Sequence, residues 1–122
     1  MTYKISIPVM QDNIAPRFDM ATEAFIIILS DNMTVKEKKN IVMPRSSADE
    51  LCYLILSEDI NTLICGAIED EHYQFLKWKK IKIFDSIAGT WSDAFDKWKK
   101  NTLSPGDILS DRMIEGKYIE KI

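Results

Sequence analysis

One cysteine, one glycine and the only histidine of the chain fall together in "LICGAIEDEH", Leu63 to His72. A thiolate at a strand end, beside helix amides, is stabilised and binds soft metals, which makes Cys65 a candidate ligand. A free cysteine is equally a small buried hydrophobe, so a core position is the other reading. His72 precedes Phe75 and Leu76 by about one helical turn, and is either a ligand or a partly buried, satisfied histidine. The chain has no CxxC, no HxxxH and no second histidine, so one protomer cannot build a closed Cys/His zinc site. Gly66 permits close backbone approach to a ligand, and the amides of Ala67, Ile68 and Glu69 are placed to meet an anion. Any tight strand-to-helix junction prefers glycine, however, and Glu69, Asp70 and Glu71 bring negative charge to that same end.

A second cluster is "APRFD", where Arg17 stands between Pro16 and Phe18 with Asp19 next. A loop arginine grips an oxyanion with its planar fork, while an Arg–Asp pair locks a loop with the same groups. Nucleophilic catalysis has little support, because no serine sits in a GxSxG elbow and one histidine would have to serve any nucleophile. The acids form no spacing that singles out a two-metal site. A nuclease would need converging carboxylates and a basic approach for nucleic acid. The reading is therefore a binding protein and not an enzyme.

These residues must be positioned by an α/β fold. Tyr3, Ile5, Ile7 and Val9 alternate with Lys4 and Ser6, the period of a half-buried strand. "MQDNIAPRFD" reads as a loop around Pro16. "EAFIIILS" is a strand covered on both faces, and "DN" turns into the polar strand "MTVKEKKNIVMP", a hairpin arm at a sheet edge. Ser47 to Glu50, "SADE", opens a helix with a capping box, followed by a stripe at Leu51, Leu54 and Ile55 with Cys52 beside it. "INTLICGA" is a short strand, "EDEHYQFLKWKK" a helix with acids first and lysines last, and "KIKIFD" a strand. "TWSD", Thr90 to Asp93, caps a last helix that carries Trp91, Ala94, Phe95 and Trp98 on one side. The order βββαβαβα predicts a mixed five-stranded sheet with helices covering it. Residues 1–101 form a single domain, and residues 102–122 are an extension whose structure the pattern does not specify. Within it "LSPGD" is a turn, "ILSDRMIEG" one helical turn or two, and "KYIEKI" an edge strand or a frayed end.

With 122 residues, 46% of them hydrophobic and 29% charged, the chain suits one soluble core. A net charge of −3 disfavours a nucleic-acid partner. The longest apolar run, Ala24 to Leu29, is far short of the roughly 20 residues that cross a bilayer, and the amino-terminal segment lacks the pattern of a signal peptide. The expectation is a cytoplasmic protein with no membrane association and with Cys52 and Cys65 as free thiols. The polar edge strand and the tryptophans at 78, 91 and 98 fit a homodimer.

Three segments, "KISIPVMQDNIAPRFDMATEAFIII", "LICGAIEDEHYQFLKWKKIKIFD" and "SIAGTWSDAFDKW", together resemble the dinitrogenase iron-molybdenum cofactor biosynthesis family over about residues 3 to 100. The likeness is strongest to its small stand-alone, orange-protein-like members, with an "SPxFD"-type loop and a "CGAIS"-type junction. The resemblance implies a ribonuclease H-like fold and a carrier for a molybdenum- or iron-containing sulfide cluster, or a relative that kept the fold as a regulatory or interaction module without metal. It implies a cluster-donating or cluster-accepting protein as partner, and no cofactor required for folding. Carried over by motif, the binding residues are Pro16, Arg17, Phe18 and Asp19 in the first loop, Cys65, Gly66, Ala67 and Ile68 at the junction, and Ala88 and Gly89 in a third loop. Any direct metal ligand would be Cys65 or His72. The chain departs from the family pattern at Glu69, where a small residue is usual, and in "SIAGT", which lacks a cysteine common among relatives.

Overall fold

The computed structural model describes residues 2–109. Strand β1 (Tyr3–Met10) is the centre of a mixed sheet, with β2 (Asn13–Ile14), β3 (Glu23–Leu29), β4 (Val35–Val42), β5 (Thr62–Ile64) and β6 (Lys82–Phe84). Helices α1 (Ala48–Ser57), α2 (Asp70–Trp78) and α3 (Trp91–Lys99) cover it. The spatial order is β4-β3-β1-β5-β6, with β2 off this path and paired to β1. Pairing is antiparallel from β4 through β3 to β1 and parallel from β1 through β5 to β6. This is the α/β class and mixed sheet read from the sequence pattern, with one strand more: the predicted loop at 10–19 contains β2 and runs into a 3-10 turn at Phe18–Met20.

Alternation along the strands sorts the apolar residues into two cores, one on each face of the sheet. Ile5, Ile7, Val9, Ile27 and Leu29 pack beneath α3 with Phe95. Ile26 and Leu63 pack beneath α1 and α2 with Leu51, Ile55 and Leu76. β3 contributes to both, which is why its run is unbroken. Ser6 lies between Ile5 and Ile7 and is fully buried, with no hydrogen-bond partner for its hydroxyl.

Local signals explain the helix ends. Ser47 accepts from the Glu50 amide at 3.2 Å and opens α1, and Thr90 accepts from the Asp93 amide at 3.2 Å and opens α3. α2 begins after Glu69 without a side-chain cap, its first turn holding Asp70 and Glu71 and its last Lys77. No helix among the described residues is long and apolar enough to cross a membrane.

Residues 102–109, the first part of the stretch counted as an extension, lie against the domain. Leu103 joins the core beneath α3, and Ile108 bridges Ala88 in parallel. The expectations for "KYIEKI" and for most of "ILSDRMIEG" fall outside the described residues.

Candidate functional site

Parallel strands β1, β5 and β6 end on the same side, so the three loops that follow them converge there, where ligands gather in open α/β sheets. Gly66 sets how closely the first two loops approach. A methyl group on it would lie 2.3 Å from the Ala15 carbonyl oxygen and 2.5 Å from that of Pro16. With no side chain in the way, the first loop runs beside the junction as a parallel pair: the Ala67 amide donates to Pro16 O at 2.9 Å, and the Phe18 amide to Ala67 O at 2.7 Å. The third loop joins the junction through Ser86 N to Gly66 O at 2.9 Å and Ile87 N to Cys65 O at 3.0 Å. It returns to the first loop through Ile14 N to Gly89 O at 2.9 Å. Residues 107–109 run along the third loop, with Ala88 N to Asp107 O at 3.0 Å and Leu109 N to Ala88 O at 2.7 Å.

These loops surround an open groove of about 650 Å³. Pro16, Gly66, Ala67, Ala88 and Gly89 line it, as do Asn13, Ile14, Ser86, Ile87, Gly106 and Ile108. Among the described residues the lining contains no ionisable side chain, and Asn13 and Ser86 are its polar members. Ser86 holds a left-handed backbone at φ 59°, a conformation that costs energy outside glycine and asparagine and clusters at functional loops.

The other residues singled out in the sequence lie elsewhere. Arg17, Asp19 and Ile68 form a shallow shelf beside the groove, with Ala67 common to both. The Arg17 fork is already paired: Nε meets Asp19 Oδ1 at 3.1 Å and Nη2 meets Oδ2 at 2.8 Å. Of the two roles open to that arginine, the structure displays the loop lock. Phe18 is buried in the α1/α2 core, its ring centroid 6.2 Å from that of His72. Cys65 is fully buried in the same core. Burial, with a smaller contribution from Asp85, pushes its thiol well above the ordinary cysteine range, so it is a protonated thiol at neutral pH. Cys65 is absent from the groove lining among the described residues.

His72 projects from α2 toward Glu69, Nε2 lying 3.9 Å from Oε1, and lines a different opening between α1 and α2. Among the described residues no three His, Cys, Asp or Glu side chains are grouped to hold a metal ion. The Ala67 amide, expected to face an anion, is used by Pro16.

Sequence reasoning missed Asn13, Ile14, Ser86, Ile87, Gly106 and Ile108. Their common signal is position: each belongs to, or bridges onto, a loop leaving the carboxyl end of a parallel strand.

Comparison with solved structures places the fold. A candidate dinitrogenase from Methanocaldococcus jannaschii is 28% identical at TM-score 0.67, the alignment covering 85% of this chain and 94% of that one. A candidate NifB protein from Thermotoga is 19% identical at TM-score 0.62, covering 84% and 92%. The apo form of the orange protein from Desulfovibrio gigas is 14% identical at TM-score 0.66, covering 84% and 91%. Among curated proteins none matches. The family described as dinitrogenase iron-molybdenum cofactor matches residues 1–101. That match runs from β1 through the last helix and takes in all three converging loops, so the chain belongs to the dinitrogenase iron-molybdenum cofactor family.

Proposed function

We propose that this chain is a non-catalytic, cytoplasmic carrier of a metal-sulfur cluster of the iron-molybdenum or molybdenum-copper type, or of its anionic thiometallate precursor. It exchanges that cargo with a donor or acceptor protein. The observation that carries the reading is the groove: three loops and residues 106–109, tied to one another by backbone hydrogen bonds, frame an open, largely apolar hollow of about 650 Å³ whose lining, among the described residues, holds no charged side chain. A cluster whose metals are saturated by inorganic sulfide needs no protein thiolate. It needs a shaped recess with a few fixed polar groups, and here Asn13 and Ser86 supply them. Membership of the family supports the class of cargo. In this reading Pro16, Gly66, Ala67, Ala88 and Gly89 contact the cargo. Arg17, Asp19 and Ile68 border its entry, and Phe18 and Cys65 support the floor from the core.

The test is retention of colour. The protein is purified without oxygen, mixed with tetrathiomolybdate with and without copper or iron, and desalted. A retained visible chromophore is expected in the wild type and in Cys65→Ser, and its loss in Ala88→Trp, which fills the groove. Failure of the wild type to retain colour, or full retention by Ala88→Trp, refutes the carrier reading.

A second reading, an interaction module of the same fold without metal, is favoured by the exposed aromatic residues Tyr53, Phe75 and Trp78 on α1 and α2. No retained chromophore, together with a co-purifying protein lost in Trp78→Ala, is the outcome that selects it.

A further inference from the structure

Away from the groove, α2 presents Glu71, Phe75 and Lys79 at four-residue intervals, the last at its carboxyl cap, and this spacing stacks them along one stripe. Trp78 stands beside them with 71% of its surface exposed, and Tyr53 of α1 with 75%. The Phe75 and Trp78 ring centroids are 6.4 Å apart, and the Lys79 ammonium lies 4.6 Å from the Trp78 ring centroid. Between the two helices is an opening of about 420 Å³ whose walls include Cys52, Tyr53, His72 and Phe75. Exposed aromatic area gathered beside an apolar hollow marks an interaction surface.

The charges on this face indicate the occupant. α2 is acidic at its amino end, with Asp70 and Glu71, and basic at its carboxyl end, with Lys77 and Lys79. Such a helix is complementary to itself when a second copy runs antiparallel. A two-fold axis through Phe75 brings Glu71 of each copy onto Lys79 of the other, because both lie four residues from the axis. The same operation carries Trp78 over the second copy's His72, at the mouth of the α1/α2 opening. Both contacts then form twice, as an isologous interface requires.

We propose that this face is the interface of a two-fold homodimer, with Trp78 of each copy seated in the α1/α2 opening of the other. The proposal rests on the aromatic face and not on the groove. A chain that dimerises without retaining cargo, or retains cargo as a monomer, separates it from the carrier reading.

The experiment is sedimentation or light scattering of the full chain over a concentration series at low and high salt. Wild type is expected to rise from the 14.1 kDa monomer toward twice that mass as concentration increases. Trp78→Ala, Glu71→Lys and Lys79→Glu should each remain monomeric where wild type is dimeric, with unchanged circular dichroism because these side chains are on the surface. The double variant Glu71→Lys/Lys79→Glu reverses both partners of each pair and is expected to recover the dimer. A wild type that stays at 14.1 kDa throughout, a dimer untouched by Trp78→Ala, or a double variant no better than the single reversals overturns the proposal.

Discussion

Replacing Gly66 with alanine adds one methyl group at the seam between the first loop and the β5–α2 junction. In the native backbone that methyl would lie 2.3 Å and 2.5 Å from two carbonyl oxygens and 2.8 Å from the Pro16 carbonyl carbon. All three atoms are main chain, so no side-chain rotation relieves the overlap. The seam must open, and opening it breaks the pair formed by Ala67 N with Pro16 O and Phe18 N with Ala67 O. Two backbone hydrogen bonds are worth about 1 kcal/mol each, and the strain of accommodating an extra carbon in packed structure adds about 1 to 3 kcal/mol. The expected loss is about 3 to 5 kcal/mol, or roughly 12 to 20 °C in Tm for a domain of this size. Thermal unfolding followed by circular dichroism measures it. Gly106→Ala is the control, because it adds a methyl with no atom of the described residues within 4 Å at a backbone φ of +89°, a strain of about 1 to 2 kcal/mol. A Gly66→Ala protein no less stable than Gly106→Ala would refute the claim that close approach explains the glycine.

Four further outcomes follow from the packing and the titrating groups. Ser6→Ala removes a buried hydroxyl that has no partner, and is expected to raise stability by about 1 kcal/mol in urea unfolding. Ser47→Ala and Thr90→Ala each lose a helix cap and should cost about 1 kcal/mol apiece, their effects adding in the double variant because the two helices cover opposite faces of the sheet. Burial, with a smaller effect of Asp49, pushes the Cys52 thiol up from 9.0 to about 11, so a maleimide at pH 7 should label neither cysteine in the folded protein and both in denaturant. A thiol raised in the folded state contributes stability that is whole below pH 9 and is lost as pH climbs through about 11. The stability gap between wild type and Cys52→Ala should therefore narrow over that interval, as read by denaturant titration at each pH.

Much of the fold was legible because its signals are local. The alternation in β1, the double-sided run of β3, the lysine-rich edge strand β4 and the caps at Ser47 and Thr90 all act within a few residues. β2 was invisible because two residues cannot display a period, and it exists only because the loop folds back on β1. The groove was half legible. Glycine and alanine at 66, 67, 88 and 89 mark where backbone comes close, whereas Gly106 and Ile108 enter through long-range backbone contacts, Gly106 N to Asp85 O and the bridge of Ile108 to Ala88. Residue type alone left two readings at Cys65 and at Arg17, and the geometry displays the core position of the one and the Asp19 pair of the other.

Main-chain pairing, and not side-chain identity, is what holds the walls of the hollow in register. A receptacle framed this way separates architecture from selectivity. Exchanges at exposed rim positions such as Pro16, Ala88 and Ile108 can retune what is admitted while the frame persists. One scaffold is thereby open to a succession of cargoes, or to none, without having to refold around each.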